Sequence, residues 1–371
     1  MTDEWSIGPF TDGGEVVGPD PDVVFECPVT AKEVAWAAKD VFNPAAVVHD
    51  GKVHLLVRAE DRVGPFAGTS RIGLAVSADG VHFSLQPEPV LLPDGGPWLA
   101  WEWPGGCEDP RVVESPDGGY VCCYTAFDGK TSSLMIATSD DLVRWEKRGP
   151  AFAATPFARQ WSKSGSVVTA VEDGRLVAAR LDGRYHMYWG EGTCFLATSE
   201  DLVHWVPVEF DAGADRYLTA SPGPKPGATS WEVHRVPGRQ ALRPVLVPRP
   251  GRFDSLLVEP GPPALLTDRG VLLVYNGAAL RRRGGRATGV AYRPGQALFD
   301  RREPGSVIAR ATEPFALATP DDLQGQVEQV CFAQGLVLFR DTWYLYYGMG
   351  DSRIGCATAP GAVGSRSAPQ Q

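Results

Sequence analysis

The chain has 371 residues, of which 43% are hydrophobic and 22% are charged, and its formal net charge is −10. This composition is normal for a globular protein, and the acidic balance argues against nucleic acid or an anionic membrane as the main partner. A neutral partner such as a sugar remains compatible. The N-terminus, MTDEWSIGPF, lacks the features of a signal peptide, and no apolar run of about 18 residues occurs. We therefore expect a cytoplasmic protein.

The residue types that hold metals and cofactors show no usable grouping. The seven cysteines are odd in number and include no C-x-x-C pair, a pattern typical of reduced, buried thiols in a cytoplasmic protein. The six histidines have no metal-ligand spacing. Neither a G-x-S-x-G elbow nor a P-loop is present. The sequence predicts no metal and no cofactor.

Five similar strand segments follow one another along the chain. Each begins at a polar turn and continues as a run of aromatic and β-branched residues, which indicates a β-strand. They are DGKVHLLVRAED (50–61), DGGYVCCYTAFD (117–128), DGRYHMYWGE (182–191), DRGVLLVYNGA (268–278) and RDTWYLYYGMGD (340–351). Little helix is expected, with AKEVAWAAKDVF (31–42) as the one candidate for a short helical turn.

A second strand follows each of these segments and usually ends in a turn of the type Ala-x-Ser-x-Asp. The copies are IGLAVSADGVHFS (72–84), LMIATSDDLVRWEK (134–147), CFLATSEDLVHWVP (194–207), TGVAYRPGQALFD (288–300) and RIGCATAP (353–360). Alignment on one alanine per copy gives Ala75, Ala137, Ala197, Ala291 and Ala357. The longer interval between the third and fourth copies predicts an insertion that includes SPGPKPGATSW (221–231).

Five repeated strand pairs predict an all-β fold, a five-bladed β-propeller with four strands in each blade. One blade cannot bury both of its faces alone, and stacking the blades in a ring does so. Residues 1–361 would form a single domain in which residues 1–40 are an N-terminal arm or closing segment. Residues 362–371 would be a disordered tail. A pair of two-sheet sandwiches is the alternative fold.

In a propeller, polar residues at the ends of the inner strands converge on one opening. GGCEDPR (105–111) brings Glu108 and Asp109 together beside tryptophans, and paired carboxylates with arginines and aromatic rings suit cleavage of a glycosidic bond. Trp103, Tyr188 and Trp189 are candidates to stack on sugar faces. Surface ion pairs and turns are the structural alternatives for the charged residues. The further residues assigned to the opening are Arg58, Asp61, Ser70, Arg71, Arg111, Lys163, Glu191, Asp254, Glu259, Asn276 and Asp351.

Several motifs in order resemble glycoside hydrolase family 130 from about residue 40 to residue 360. They include FNPAAVVHDGKVHLLVRAED, GGCEDPR, KSGSVV, YHMYWGE, FDSLLVEPGPPALLTDRGVLLVYNGA, GQALFD and WYLYYGMGDSRIG. The resemblance implies a five-bladed propeller that acts on β-mannosides. Most members described are inverting phosphorylases that release α-mannose 1-phosphate, and a smaller group are inverting hydrolases of β-1,2-mannosides. It also implies that Asp109 is the general acid, with Glu108 and Arg111 as supporting neighbours.

The chain departs from the phosphorylase pattern where phosphate would bind. A His-Arg pair of the phosphorylases is replaced by AAR, which keeps only Arg180, and a histidine of the fourth blade is replaced by Asn276. Glu259 stands where phosphorylases tend to have glycine, and a carboxylate there repels phosphate. It would suit a base that activates water, with Glu191 as a second candidate. Lys163 and Arg180 keep phosphorolysis open.

The sequence therefore predicts an inverting, exo-acting β-mannosidase with Asp109 as acid and Glu259 or Glu191 as base. Burial against aromatic rings is expected to raise the pKa of Asp109. The partner is an oligosaccharide or glycoside, and a homo-oligomer is left open. A β-mannoside phosphorylase, a non-catalytic carbohydrate-binding propeller and a five-bladed furanosidase are the alternatives. The predicted substrate-binding residues are Asn43, Arg58, Asp61, Ser70, Arg71, Glu108, Arg111, Lys163, Asp254, Asn276 and Asp351.

Overall fold

The computed structural model describes residues 4–62, 68–211, 240–283, 286–315, 317–319 and 321–361. Regular structure in this part of the chain is almost entirely β-strand, with α1 (Leu99–Glu102) as its one short helix. The all-β prediction is confirmed. The predicted insertion at 221–231 and the predicted tail at 362–371 lie outside the described residues. No helix within the described ranges is long and apolar enough to cross a membrane.

The first strands of the chain include the segment for which a helical turn was expected. They are β1 (Thr11–Val17), β2 (Asp20–Cys27), β3 (Lys32–Ala37), β4 (Asp40–His49), β5 (Lys52–Glu60), β6 (Ser70–Ser77) and β7 (Ser84–Leu85). Residues 31–42 are mainly β3 and the start of β4, so the helical prediction is wrong. Val34 and Trp36 are both buried, at the two-residue period of a strand that packs one face.

The remaining strands follow in three runs. After α1 come β8 (Gly106–Glu114), β9 (Tyr120–Phe127), β10 (Ser132–Ser139) and β11 (Glu146–Pro150). The next run is β12 (Ser166–Glu172), β13 (Arg175–Ala178), β14 (Arg180–Leu181), β15 (Arg184–Trp189), β16 (Cys194–Ser199), β17 (Trp205–Pro207), β18 (Glu209–Asp211), β19 (Gln240–Leu242) and β20 (Pro244–Leu246). The last is β21 (Leu257–Pro260), β22 (Ala264–Thr267), β23 (Gly270–Arg283), β24 (Arg286–Phe299), β25 (Val307–Arg310), β26 (Cys331–Phe339), β27 (Thr342–Met349) and β28 (Arg353–Pro360).

Antiparallel pairing arranges most of the described strands in five groups, of which four have four strands and one has five. The first group is β4–β5–β6–β7 and the second is β8–β9–β10–β11. The third is β12–β15–β16–β17, and in the fourth β21 and β22 both pair with β23, which is followed by β24 and β25. The fifth is β26–β27–β28–β1. The N-terminal β1 thus completes a group made of C-terminal strands.

The apolar core of the described chain lies between successive groups. Five clusters of buried side chains fill these interfaces, represented in order by Trp36 with Tyr346, Leu74 with Tyr124, Val121 with Trp189, Tyr188 with Tyr275, and Leu272 with Trp343. The first strands β26, β4 and β8 pack side by side, as do β12 and β22. The groups therefore follow one another in a propeller-like all-β arrangement. All seven cysteines are free and buried, as predicted.

The alanine repeat is regular, but one of its predicted positions is wrong. Ala291 is only half-buried in the first half of β24, whereas Ala297 is fully buried and pairs with Leu273. The other anchors are fully buried on the third strand of their groups, and they are Ala75, Ala137, Ala197 and Ala357. β23 and β24 are longer than the corresponding strands of the other groups. In β24 the alanine that was aligned, Ala291, therefore precedes the position that matches the other anchors, which Ala297 occupies.

Three first strands carry a bulge near their N-terminal ends. Pairing registers shift between Phe42 and Ala45 in β4, between Glu108 and Arg111 in β8, and between Ala333 and Gly335 in β26. In two of them the residue before a proline is left-handed, with φ of 46° at Asn43 and 48° at Asp109. Bulges redirect side chains out of the regular alternation of a strand. They bring Asn43, Asp109 and Gln334 to one end of neighbouring strands.

Candidate active site

The carboxylate of Asp109 faces three cationic or amide groups from other parts of the chain. Arg58 Nη1 and Asn43 Nδ2 each donate to Oδ1 over 3.0 Å, and Lys163 Nζ lies 3.4 Å from Oδ2. Asn43 lies on β4, Arg58 on β5, and Lys163 in the segment before β12. Asp109 is 4% exposed. The structure thus brings together four residues that the sequence predicted for catalysis or substrate binding.

Glu108 shares the guanidinium of Arg58 with Asp109. Arg58 Nη2 donates to Glu108 Oε1 over 3.1 Å and to Glu60 Oε1 over 2.8 Å. Its Nε donates to Ser70 Oγ over 3.0 Å. Arg58 is therefore fixed by three carboxylates and a hydroxyl group, and Ser70 acts on the site through this arginine. Glu60 is a member of the site that the sequence interpretation missed.

Burial and nearby cations act in opposite directions on the two adjacent acids. Burial raises the pKa of Asp109, but the charges of Arg58 and Lys163 outweigh it and hold that pKa below its ordinary value. At Glu108 burial outweighs the same cations, so its pKa is raised. The prediction of a raised pKa for Asp109 is therefore wrong, because two cations contact that carboxylate. Of the two acids, Glu108 takes up a proton first.

Glu259 and Glu191 form a second pair of carboxyl groups. Glu259 lies on β21, is 4% exposed, and accepts a hydrogen bond from Ser164 Oγ. Glu191 follows β15, and its Oε2 accepts the indole N–H of Trp161 over 2.7 Å. Trp161 and Ser164 flank Lys163 in the short segment before β12. One segment therefore supplies a contact to each of these acids and a cation to Asp109.

Lys163 interacts electrostatically with both pairs of acids, Glu108 with Asp109 and Glu191 with Glu259. Burial raises the pKa of Glu259 to about 7, the charge of Glu191 raises it as well, and Lys163 and Arg111 act against this rise. A carboxyl group that titrates near neutrality can exchange a proton at physiological pH. The acids whose charges act on Lys163 are Asp109, Glu191, Glu108 and Glu259.

Arg111 binds backbone carbonyl groups of the site. Its Nε donates to Gly261 O and its Nη2 to Pro260 O, each over 2.8 Å, and Nη1 donates to Asp109 O over 3.1 Å. Arg111 was expected to be a supporting neighbour of Asp109, and it contacts the backbone carbonyl of that residue. The register shift between Glu108 and Arg111 changes the direction in which Arg111 leaves the strand.

Asp351 lies in the turn between β27 and β28. Burial raises the pKa of Asp351 to about 7, with the charge of Arg58 acting against the rise and that of Asp109 adding to it. Its backbone is left-handed, with φ of 51°. The charges of Arg58, Asp109 and Lys163 all act on this carboxyl group.

Asp61 and Arg71 form an ion pair within the protein. They are 1% and 2% exposed, respectively. Arg71 Nη1 also donates to Thr69 O over 3.1 Å, and its guanidinium lies 5.1 Å from the centre of the Phe25 ring. These contacts join β6 to β2 and favour a structural role for the pair, although substrate contact was predicted for both.

Asp254 and Asn276 are also engaged by protein groups. Arg249 Nη2 and Arg310 Nη2 lie 2.8 Å and 2.5 Å from Asp254 Oδ2. Asn276 donates to Ala333 O over 2.9 Å and accepts from Ala333 N over 2.8 Å, which ties β23 to β26. Both side chains are fully buried. Their hydrogen bonds favour support of the site over direct contact with a sugar.

The sequence profile described as β-1,4-mannooligosaccharide phosphorylase, that of glycoside hydrolase family 130, matches residues 20–362. The chain belongs to glycoside hydrolase family 130. The resemblance carried by the sequence motifs is confirmed. The protein is thus an enzyme of a family that acts on mannosides.

Similar proteins include phosphorylases and hydrolases. A 1,2-β-oligomannan phosphorylase from Thermoanaerobacter sp. (strain X514) is 30% identical over 335 residues, which cover 88% of this chain and 91% of the relative. A glycosyl hydrolase structure from Bacteroides ovatus is 38% identical, with a TM-score of 0.84 over 100% of this chain and 98% of that one. Another structure, 39% identical with the same TM-score and coverage, is described as "The GH130 family of mannoside phosphorylases contains glycoside hydrolases that target beta-1,2 mannosidic linkages in Candida mannan".

Two of the aromatic residues predicted to stack on sugars belong to the core of this family 130 enzyme. Tyr188 is 0% and Trp189 is 1% exposed. Tyr188 donates its hydroxyl hydrogen to Pro304 O over 2.8 Å, and the Trp189 ring lies 4.5 Å from that of Phe152. The stacking prediction is wrong for both, because these side chains fill the interfaces between groups. Trp103 is half-buried and stays a candidate.

The sequence interpretation missed three further residues of the candidate site. Trp161 and Ser164 stand beside Lys163 in QWSKSGS, a segment that was selected for its lysine alone. Tyr292 lies on β24, and the charges of Glu259, Glu191, Asp351 and Lys163 all act on its phenol group. It belongs to the fourth, degenerate copy of the repeat, where the alignment was displaced. Trp161 and Ser164 could have been predicted from the sequence as polar and aromatic neighbours of Lys163.

Proposed function

We propose that the chain is an inverting, exo-acting β-mannosidase that hydrolyses β-1,2-linked mannosides. The observation that carries the proposal is the second pair of acids, Glu259 and Glu191, which are bound by Ser164 and Trp161 of the same short segment that brings Lys163 to Asp109. Hydrolysis needs a base to activate water, whereas phosphate is itself a nucleophile. The similarity to the structure described with hydrolases of β-1,2 mannosidic linkages supports this substrate class.

Asp109 is the proposed general acid. In the protein alone, Arg58 and Lys163 favour its ionised form. Sugar hydroxyl groups that accept hydrogen bonds from these cations would weaken their hold on Asp109 and raise its pKa, the direction that a proton donor needs. Glu108, whose pKa is raised by burial, is a neighbouring group that can hold the proton before it reaches Asp109.

Glu259 is the proposed base, and Glu191 is the second candidate. Burial raises the pKa of Glu259 to about 7, so a substantial fraction of it is ionised at neutral pH. Trp161 donates a hydrogen bond to Glu191, whereas Glu259 accepts one from Ser164. Two neighbouring carboxyl groups in unlike environments can divide proton transfer between them.

Asn43, Arg58, Lys163 and Asp351 are the proposed contacts to the terminal sugar, because their polar groups surround the Asp109 carboxylate. For the fold, we propose a five-bladed propeller over residues 1–361, supported by the five strand groups and the five core clusters between them. The cytoplasmic location and a homo-oligomer stay predictions from the sequence.

Phosphorolysis is the second candidate and is favoured by the phosphorylase relative from Thermoanaerobacter and by Lys163. Arg180, the arginine retained from the phosphorylase pattern, argues against it. It is exposed and donates to Gly183 O over 2.7 Å and to Glu200 O over 2.8 Å. These contacts hold Arg180 on a surface turn of the third group. The negative charge of Glu259 also opposes binding of phosphate.

Incubation with β-1,2-mannobiose, with and without inorganic phosphate, tests the proposal. Free mannose at a rate that does not depend on phosphate is the expected result, with α-mannose as the first anomer detected by NMR. Mannose 1-phosphate formed only with phosphate would establish the second candidate. Binding without turnover by the wild type, retained by Asp109→Asn, would instead establish a carbohydrate-binding protein.

A further inference from the structure

Gln334 joins the first strands of three groups, β26, β4 and β8, next to Asp109. It lies at the bulge of β26 and is 0% exposed. Its Nε2 donates to Asn43 O over 2.8 Å and to Pro110 O over 2.7 Å. The side chain of Asn43 donates to Asp109, and Pro110 follows Asp109 in the chain. One amide group therefore binds the backbone directly after the acid and the backbone of the residue whose side chain donates to the acid.

The orientation of this amide is determined by its partners. Both hydrogens of Nε2 point at carbonyl oxygens, and the reverse orientation would place Oε1 against the same two oxygens. The two carbonyl groups belong to bulges in which Asn43 and Asp109 are left-handed. Bulged residues lack the regular ladder partners of a strand, so Gln334 supplies hydrogen bonds that β4 and β8 cannot supply to each other there.

We propose that Gln334 is a positioning residue, which holds Asp109 in the orientation for proton transfer through Asn43 and Pro110. This inference rests on the proposed role of Asp109 as general acid. Gln334 has no chemical part in the reaction. It restrains the two bulges from which Asp109 and its amide donor project, and displacement of an acid by about 1 Å can lower a rate by about a hundredfold.

Gln334→Met tests the proposal, because it keeps the length of the side chain and removes both donors. The expected result on β-1,2-mannobiose is a loss of about 10–100-fold in kcat with KM changed less than about threefold. On 2,4-dinitrophenyl β-mannoside, whose leaving group needs no proton, the expected loss is below about threefold. Gln296→Met is the matched control, since Gln296 is buried and donates to Ile7 O over 2.9 Å. Both of its rates should stay within about threefold of wild type.

Gln334→Glu provides a second variant in case the methionine does not fold. Its neutral form can donate to one carbonyl oxygen and its carboxylate to neither, so its mannobiose rate relative to wild type should rise as the pH falls. Equal losses on both substrates, or an unchanged ratio of the two rates in either variant, would overturn the proposal. The products that the wild type forms from β-1,2-mannobiose test the proposed function separately. If turnover requires phosphate, the rates on the two substrates are both measured with phosphate present.

Crystal structures of wild type and Gln334→Met make the test independent of any substrate. The Asp109 carboxylate should move out of hydrogen-bond distance of Arg58 Nη1, from the 3.0 Å of the present structure. A carboxylate that does not move would overturn the positioning role even if the wild type proved inactive on every mannoside.

Discussion

Arg111 Nη2 donates to the carbonyl oxygen of Pro260 over 2.8 Å, and this bond links the two acidic segments of the site. The same guanidinium donates to the carbonyl of Asp109, while Pro260 directly follows Glu259. The proposed acid and the proposed base are therefore held relative to each other by one buried side chain. The proline-rich turn after Glu259 is rigid in itself, and Arg111 attaches it to β8.

Arg111→Met is expected to lower the free energy of unfolding by roughly 3 kcal/mol or more, because three buried carbonyl groups would lose their donor at about 1–3 kcal/mol each. Arg111→Lys should recover part of this loss. Urea denaturation measures both changes. Arg175→Met is the control, since the Arg175 side chain is 44% exposed in its ion pair with Glu114, and exposed pairs contribute below about 1 kcal/mol. Equal stabilities of the two methionine variants would show that Arg111 does not hold the segments together.

Asp109→Asn is expected to lower kcat on β-1,2-mannobiose by about 10²–10⁴-fold, the usual contribution of a general acid. On 2,4-dinitrophenyl β-mannoside the loss should be much smaller, because dinitrophenolate leaves without a proton. Steady-state kinetics on the two substrates measure the difference. Asp141→Asn, at a surface turn where the aspartate side chain is 43% exposed, should leave both rates near wild type. A loss of equal size on both substrates would argue against an acid role for Asp109.

Azide should distinguish the two candidate bases. In Glu259→Gln, kcat is expected to fall by about 10²–10⁴-fold, and sodium azide should restore it by attacking the anomeric carbon in place of water. The product would be α-mannosyl azide, as the C–N bond forms while the glycosidic C–O bond breaks and Asp109 protonates the leaving oxygen. Glu191→Gln should respond weakly to azide. Rescue of Glu191→Gln alone would assign the base to Glu191, and rescue of neither variant would contradict a carboxylate base.

The acids of the site were predictable from sequence where the signal is local. Glu108 and Asp109 stand in a short motif, and Glu259 precedes a rigid proline turn, so each could be selected from its neighbours. Their contacts could not be predicted in the same way, because the Trp161–Glu191 bond spans 30 residues and the Ser164–Glu259 bond spans 95. The first pair is brought together by the pairing of β12 with β15 inside the third group, and the second by the pairing of β12 with β22 of the fourth group.

Buried charge is the second property that the sequence did not resolve. Asp61 and Asp254 lie next to predicted strands in the same way as Asp109, yet arginines of the protein form ion pairs with them. The pKa of Asp109 was predicted in the wrong direction for a related reason. Burial of a carboxyl group was inferred correctly, but the sign of the shift depends on whether cations lie within a few ångströms, and strand packing decides that.

Glu259 predicts how stability depends on pH. Its pKa in the folded protein, about 7, lies above its ordinary value of 4.5, so folding favours the protonated form. The stabilisation is complete below about pH 4.5 and is lost as the pH rises through about 7, by on the order of 3 kcal/mol. Asp351 acts in the same direction, since burial also raises its pKa to about 7.

In urea titrations between pH 4.5 and pH 8, the free energy of unfolding of Glu259→Gln should therefore decline less than that of the wild type, and Glu259→Gln with Asp351→Asn should decline least. Parallel curves for the wild type and both variants would mean that neither carboxyl group titrates near neutrality.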